Sequence, residues 1–73
     1  MAQTISAEMV ASVHSVAVQE GASVEAGVTL VILESMKMEI PVLAERAGTV
    51  TEVFVRVGDV VQEGDALIAL DPL

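Results

Sequence analysis

"VHSVAVQEGASVEAGVTLVILE", residues 13–34, returns 37 positions later as "VTEVFVRVGDVVQEGDALIALD", residues 50–71. In that register Val13 meets Val50, Val16 meets Val53, Val18 meets Val55, Gly21 meets Gly58, Val24 meets Val61, Gly27 meets Gly64, Leu30 meets Leu67 and Leu33 meets Leu70. Upstream, Ala7 and Glu8 match Ala44 and Glu45, which brings the identities named here to ten. Both glycines and the whole apolar ladder stay in phase, so the chain reads as two structural halves related by a pseudo-two-fold.

Each half reads as β. Val13, Val16 and Val18, like Val50, Val53 and Val55, have period two over part of their length, and no segment carries a clean 3.6 period. The intervals Gly21 to Gly27 and Gly58 to Gly64 are too short for a helix, and the chain holds fourteen valines. Glycines beside acidic residues, as in Glu20-Gly21, Gly58-Asp59 and Gly64-Asp65, mark turns that need positive φ. About four short strands per half, eight in all, predict an all-β flattened barrel or sandwich. Phe54 is the one aromatic residue, so Val, Leu, Ile and Ala must fill a narrow interior with little room for a ligand pocket.

Seventy-three residues make one domain, expected to span 1–73, and a chain this short buries only roughly 60% of its unfolded surface. Cysteine is absent, which rules out disulfides and thiolate metal sites and fits a cytoplasmic chain. Eleven acidic against three basic residues give a net charge of -8. That charge repels phosphate backbones and anionic membrane surfaces, so neither nucleic acid nor membrane is expected as a partner. The acidic excess reads as a solvated face. Hydrophobic residues make up 53%, yet every apolar run breaks well before the roughly 18 residues of a membrane-spanning helix. The start, MAQTISAEMV, lacks the basic n-region of a secretory signal. A soluble, cytoplasmic chain is expected.

The join between the halves holds "ESMKMEI", residues 34–40. Under the repeat the mate of Lys37 would fall just outside either end of the chain, so Lys37 occupies the seam. The two-fold then makes it a hairpin tip at the end furthest from both termini. Tight two-residue turns prefer Asn-Gly, Asp-Gly or Gly-Gly, because both central residues need positive φ, and Met36-Lys37 breaks that rule. Two alternatives stay open: a strained turn kept for function, or a longer relaxed loop with both methionines folded back onto the barrel end. A lysine attacks only when neutral and its ordinary pKa is about 10.4. Nothing in the sequence supplies the desolvation or cationic neighbour that activates a nucleophilic lysine. Lys37 therefore reads as a residue presented to another enzyme, and the chain as a non-catalytic one.

Other polar residues carry bland readings. His14, whose mate is Thr51, reads as a surface residue, with no second ligand at metal spacing, so no metal site is expected. Arg46 and Arg56 read as turn and strand surface. No glycine-rich phosphate loop precedes a helix.

ESMKMEI resembles the biotin-attachment motif of biotinyl domains, the carriers of biotin-dependent carboxylases. The V-x-x-G-x-x-V-x-x-G pattern in both halves resembles the same family, and the similarity spans essentially the whole chain. Its length is most similar to that of the single-domain biotin/lipoyl attachment proteins of bacteria. The resemblance implies a flattened barrel of two four-stranded antiparallel sheets. It implies that a biotin protein ligase joins biotin to the ε-amine of Lys37, with Met36, Met38 and Glu34 as the motif residues the ligase recognises. It also implies biotin carboxylase and carboxyltransferase subunits as partners. Lipoyl domains share the fold but usually carry an Asp-Lys-Ala type of tip, so Met36 and Met38 favour biotin. One departure is Glu8-Met9-Val10-Ala11, where biotinyl domains often have Pro-Met-Pro-Gly. The close register of the halves leaves no insertion for the "thumb" of some carboxyl carriers. Two alternatives are a lipoyl carrier, and an unmodified barrel using Met36 and Met38 as an adaptable contact.

Overall fold

The computed structural model describes residues 3–73. They form eight strands: β1 Gln3–Ser6, β2 Ala11–Val16, β3 Ser23–Val24, β4 Thr29–Ser35, β5 Met38–Leu43, β6 Gly48–Val53, β7 Val60–Val61 and β8 Ala66–Pro72. These make two four-stranded antiparallel sheets, ordered β1-β8-β6-β3 and β5-β4-β2-β7. Replacing each strand by its repeat mate (β1 by β5, β2 by β6, β3 by β7, β4 by β8) turns the first order into the second. The pseudo-two-fold therefore exchanges the sheets, and each half of the chain gives two strands to each.

The exchange extends to single bonds. The Ala7 N–H donates to the Asp65 carbonyl as Ala44 does to Val28, both at 2.8 Å. Gly58 donates to Val13 at 2.9 Å, as Gly21 does to Val50 at 2.7 Å. Even the irregularities repeat: β2 slips against β4 between Val13 and Ser15, and β6 against β8 between Val50 and Glu52. These bulges leave one residue unpaired, which is His14 in one half and Thr51 in the other.

Leu30, Val31 and Leu33 of β4 and Leu67, Ile68 and Leu70 of β8 are at most 2% exposed and fill the space between the sheets. Both strands are interior to their sheets, so each is hydrogen-bonded on two sides. No polar or charged residue is buried among the described residues. The interior is wholly aliphatic, since Phe54 lies 44% exposed. The edge strands β1 and β5 flank an open cleft lined by Ile5, Leu33, Ile40 and Val42, so the sandwich half of the expected barrel or sandwich describes the molecule. Pro41 sits on β5, at a sheet edge where a missing N–H is tolerated.

The halves differ at Gly48 and its mate Ala11. A Cβ at Gly48 would lie 2.5 Å from the Asp71 carbonyl oxygen and 3.0 Å from the Pro72 Cα. The β6–β8 ladder runs to Gly48 opposite Pro72, whereas β2–β4 pairing stops one step earlier, at Ser12 opposite Glu34. Ala11 pairs with Val61 on β7, as Gly48 does with Val24 on β3, but lacks the second pairing, and it is 5% exposed. A Gly48→Ala variant forces backbone apart and is expected to lose about 1–3 kcal/mol, whereas Ala11→Gly loses at most about 1 kcal/mol. Thermal unfolding followed by circular dichroism measures both; equal melting temperatures for Gly48→Ala and the parent chain would contradict the close approach.

Candidate functional site: the Lys37 hairpin

Strands β4 and β5 pair from Thr29 opposite Leu43 to Ser35 opposite Met38. Only Met36 and Lys37 remain to reverse the chain. Their φ angles are 53° and 64°, and they are the non-glycine residues at positive φ among those described. Positive φ at both central residues is the type I′ hairpin turn, whose twist matches that of the flanking strands. Of the two alternatives the sequence leaves open, the tight strained turn is the one that forms.

A left-handed conformation costs a residue with a Cβ on the order of 1 kcal/mol or more. The ladder beneath the turn imposes it, because slipping β5 by one residue would turn its side chains to the opposite face. Met36 is 92% exposed and Met38 62%, so neither folds back onto the sandwich. Lys37 is exposed between them and is the one lysine of the chain.

Glu34 and Glu39 stand directly opposite each other one step below the turn, both exposed. Opposed residues of an antiparallel pair share a face, so two carboxylates occupy the outer side of the hairpin base. The bulge at His14 turns its ring toward this base, with Nε2 3.6 Å from Oε2 of Glu39. His14 is a surface residue as expected, with its side chain 45% exposed, yet its place beside Glu39 had no signal in the sequence. It follows from a bulge that local patterning does not announce. Arg46 and Arg56 are exposed. No cluster of three or more metal-ligating side chains occurs among the described residues, and no described helix is long and apolar enough to cross a membrane. Lys37, Met36, Met38 and Glu34 thus sit together on one hairpin, around an amine that is reachable from solvent and supported from below by rigid strands.

A family model described as "Biotin-requiring enzyme", of the biotin/lipoyl type, matches residues 2–70. The chain belongs to the biotin/lipoyl attachment family. A family member from Mycobacterium leprae, a "Biotinylated protein TB7.3 homolog", is 56% identical over 70 residues, covering 96% of this chain and 99% of the relative. Among solved structures, a single-chain, multi-domain long-chain acyl-CoA carboxylase overlays with a TM-score of 0.93 at 36% identity, covering 99% of this chain and 7% of the carboxylase. The lipoyl domain of the 2-oxoglutarate dehydrogenase complex of Azotobacter vinelandii overlays with a TM-score of 0.75 at 29% identity, covering 85% and 78%. In this biotin/lipoyl member the fold expected from the repeat is the family's own.

The strain at the tip is measurable. Asparagine tolerates the left-handed region better than methionine, so Met36→Asn is expected to stabilise the chain by about 1 kcal/mol, or several degrees in melting temperature for a domain of this size. A fall in melting temperature would contradict a strained turn at Met36.

Proposed function

We propose that this chain is a biotin carrier, modified on Lys37 and without catalytic activity of its own. The observation that carries the reading is the hairpin tip, where a solitary lysine is held outward on a strained, rigid turn at which folding alone would select Asn-Gly. An amine so placed suits acylation by a second enzyme. A biotin protein ligase uses ATP to activate the biotin carboxylate; the Lys37 Nζ attacks the acyl carbon, AMP leaves, the amine loses a proton and an amide forms. Met36 and Met38 offer the ligase flexible apolar contacts, and Glu34 an acidic one.

Biotin, once attached, supplies the group that carries a carboxyl from a biotin carboxylase site to a carboxyltransferase site. The chain's own residues do the mechanical work. The sandwich gives a rigid base, Lys37 lends its four-carbon stem as part of a mobile arm, and tethering raises the effective concentration of cofactor at each site. The carboxylase whose domain this chain overlays supports carboxylase subunits as partners. The better overlay on that domain than on a lipoyl domain, with Met36 and Met38 at the tip, favours biotin over lipoate. We read the carrier as a single cytoplasmic domain, supported by its lack of cysteine.

Incubation with biotin ligase, ATP and biotin, followed by intact mass, tests the reading. The expected result is a gain of one biotinyl group that is absent from Lys37→Arg. An unchanged parent mass would refute it, and a gain that survives in Lys37→Arg would move the site away from the hairpin.

A further inference from the structure

The internal repeat supplies its own control, because a surface position in one half has a counterpart in the same backbone setting in the other. Phe54, Val57 and Val60 are 44%, 67% and 71% exposed. Their counterparts Ala17, Glu20 and Ser23 are exposed as well. The settings agree closely. The Phe54 N–H donates to Leu67 and the Ala17 N–H to Leu30, both at 2.9 Å. Val57 precedes Gly58 at φ 96°, as Glu20 precedes Gly21 at φ 90°. Val60 and Ser23 each open a two-residue strand. Since Ala, Glu and Ser satisfy the fold in one half, folding does not require three exposed apolar side chains in the other.

Charge breaks the symmetry at the same place. Phe54 and Val60 line a surface groove together with Asp59 and Asp65, whereas the twin groove has Ala22 and Val28 at those two positions. Each aspartate also accepts a turn N–H at 2.9 Å, Asp59 from Arg56 and Asp65 from Gln62, so the carboxylates are fixed in place.

Val60 connects the patch to the hairpin. Val60 pairs with Ser12, Ser12 with Glu34 and Glu34 with Glu39, and side chains along such a row share one face. Two strand spacings, roughly 10 Å, separate Val60 from Glu34. We propose that Phe54, Val57 and Val60 dock the ligase that acts on Lys37, against a ligase surface with an apolar centre and a basic rim. The inference rests on the carrier reading above. Unmodified Lys37 extends only a four-carbon stem, so the acylating enzyme must bring its pocket onto the hairpin and cover the neighbouring sheet. A carboxylase instead meets the cofactor at the end of a longer arm. Exposed apolar anchors supply affinity in such a contact, and the flanking carboxylates supply orientation and encounter rate.

The test gives each position the residue its counterpart already carries: Phe54→Ala, Val57→Glu and Val60→Ser in one chain. Circular dichroism and melting verify the fold. With biotin ligase, ATP and biotin, the KM for this variant is expected to rise roughly tenfold or more while kcat stays within about twofold. The reciprocal variant, Ala17→Phe, Glu20→Val and Ser23→Val, is expected to keep the parent KM. If the triple variant melts, Val57→Glu alone at the turn apex replaces it, with an expected rise of about threefold. A modified parent chain with an unchanged variant KM overturns the docking surface and leaves the carrier standing. A parent chain that is not modified at all overturns both.

Discussion

Two residues with side chains, Met36 and Lys37, are held at positive φ at the end of a six-pair β4–β5 ladder, and the rest of the molecule can be understood as what makes that possible. β4 is interior to its sheet and anchors through Leu30, Val31 and Leu33, none more than 2% exposed. The tip geometry is therefore set by the core rather than by local preference. A chain of this length has a total stability of roughly 4–11 kcal/mol, so a strained turn is a noticeable fraction of it. Such a cost is kept where the strained element has a use beyond folding.

Much of this was legible because the repeat keeps apolar residues and glycines in phase at one offset. Strand number and fold class follow from that, and Lys37 falls at the join between the two copies. The exchange of sheets was not legible. Four strands that form one sheet, and four strands divided between two, produce the same local pattern. The bulges explain why period two held over only part of each strand: an extra residue at His14 or Thr51 shifts the alternation of β2 or β6, and a slip of β4 against β5 at Leu30 lets Leu30 and Val31 be buried in succession. The choice between a tight turn and a relaxed loop was likewise beyond the sequence. Propensity argued against Met-Lys in a type I′ turn, and the tertiary ladder overrode it.

The make-up of the candidate site was legible in the same uneven way. Lys37, Met36, Met38 and Glu34 are close in sequence and had only to be placed on one hairpin. His14 reaches Glu39 from another strand, and Phe54, Val57 and Val60 gain meaning only when their counterparts are known to occupy equivalent exposed settings. The two halves build one scaffold twice. The first half leaves its outer loop small and polar, and the second carries apolar and acidic side chains beside the sheet that bears the lysine.

On the proposed carrier reading, the folded ladder that holds Met36 and Lys37 in the left-handed region makes the lysine a substrate. The most direct measurement compares initial biotinylation rates of the whole chain and of a synthetic peptide of residues 29–43, at equal concentration with the same ligase, ATP and biotin. An isolated two-stranded hairpin is marginally stable at best in water, so the peptide keeps the motif and loses the imposed turn. Rapid modification of the chain with little modification of the peptide is the predicted result. Equal rates for both would rule out a role for the folded ladder, because the motif alone would then suffice.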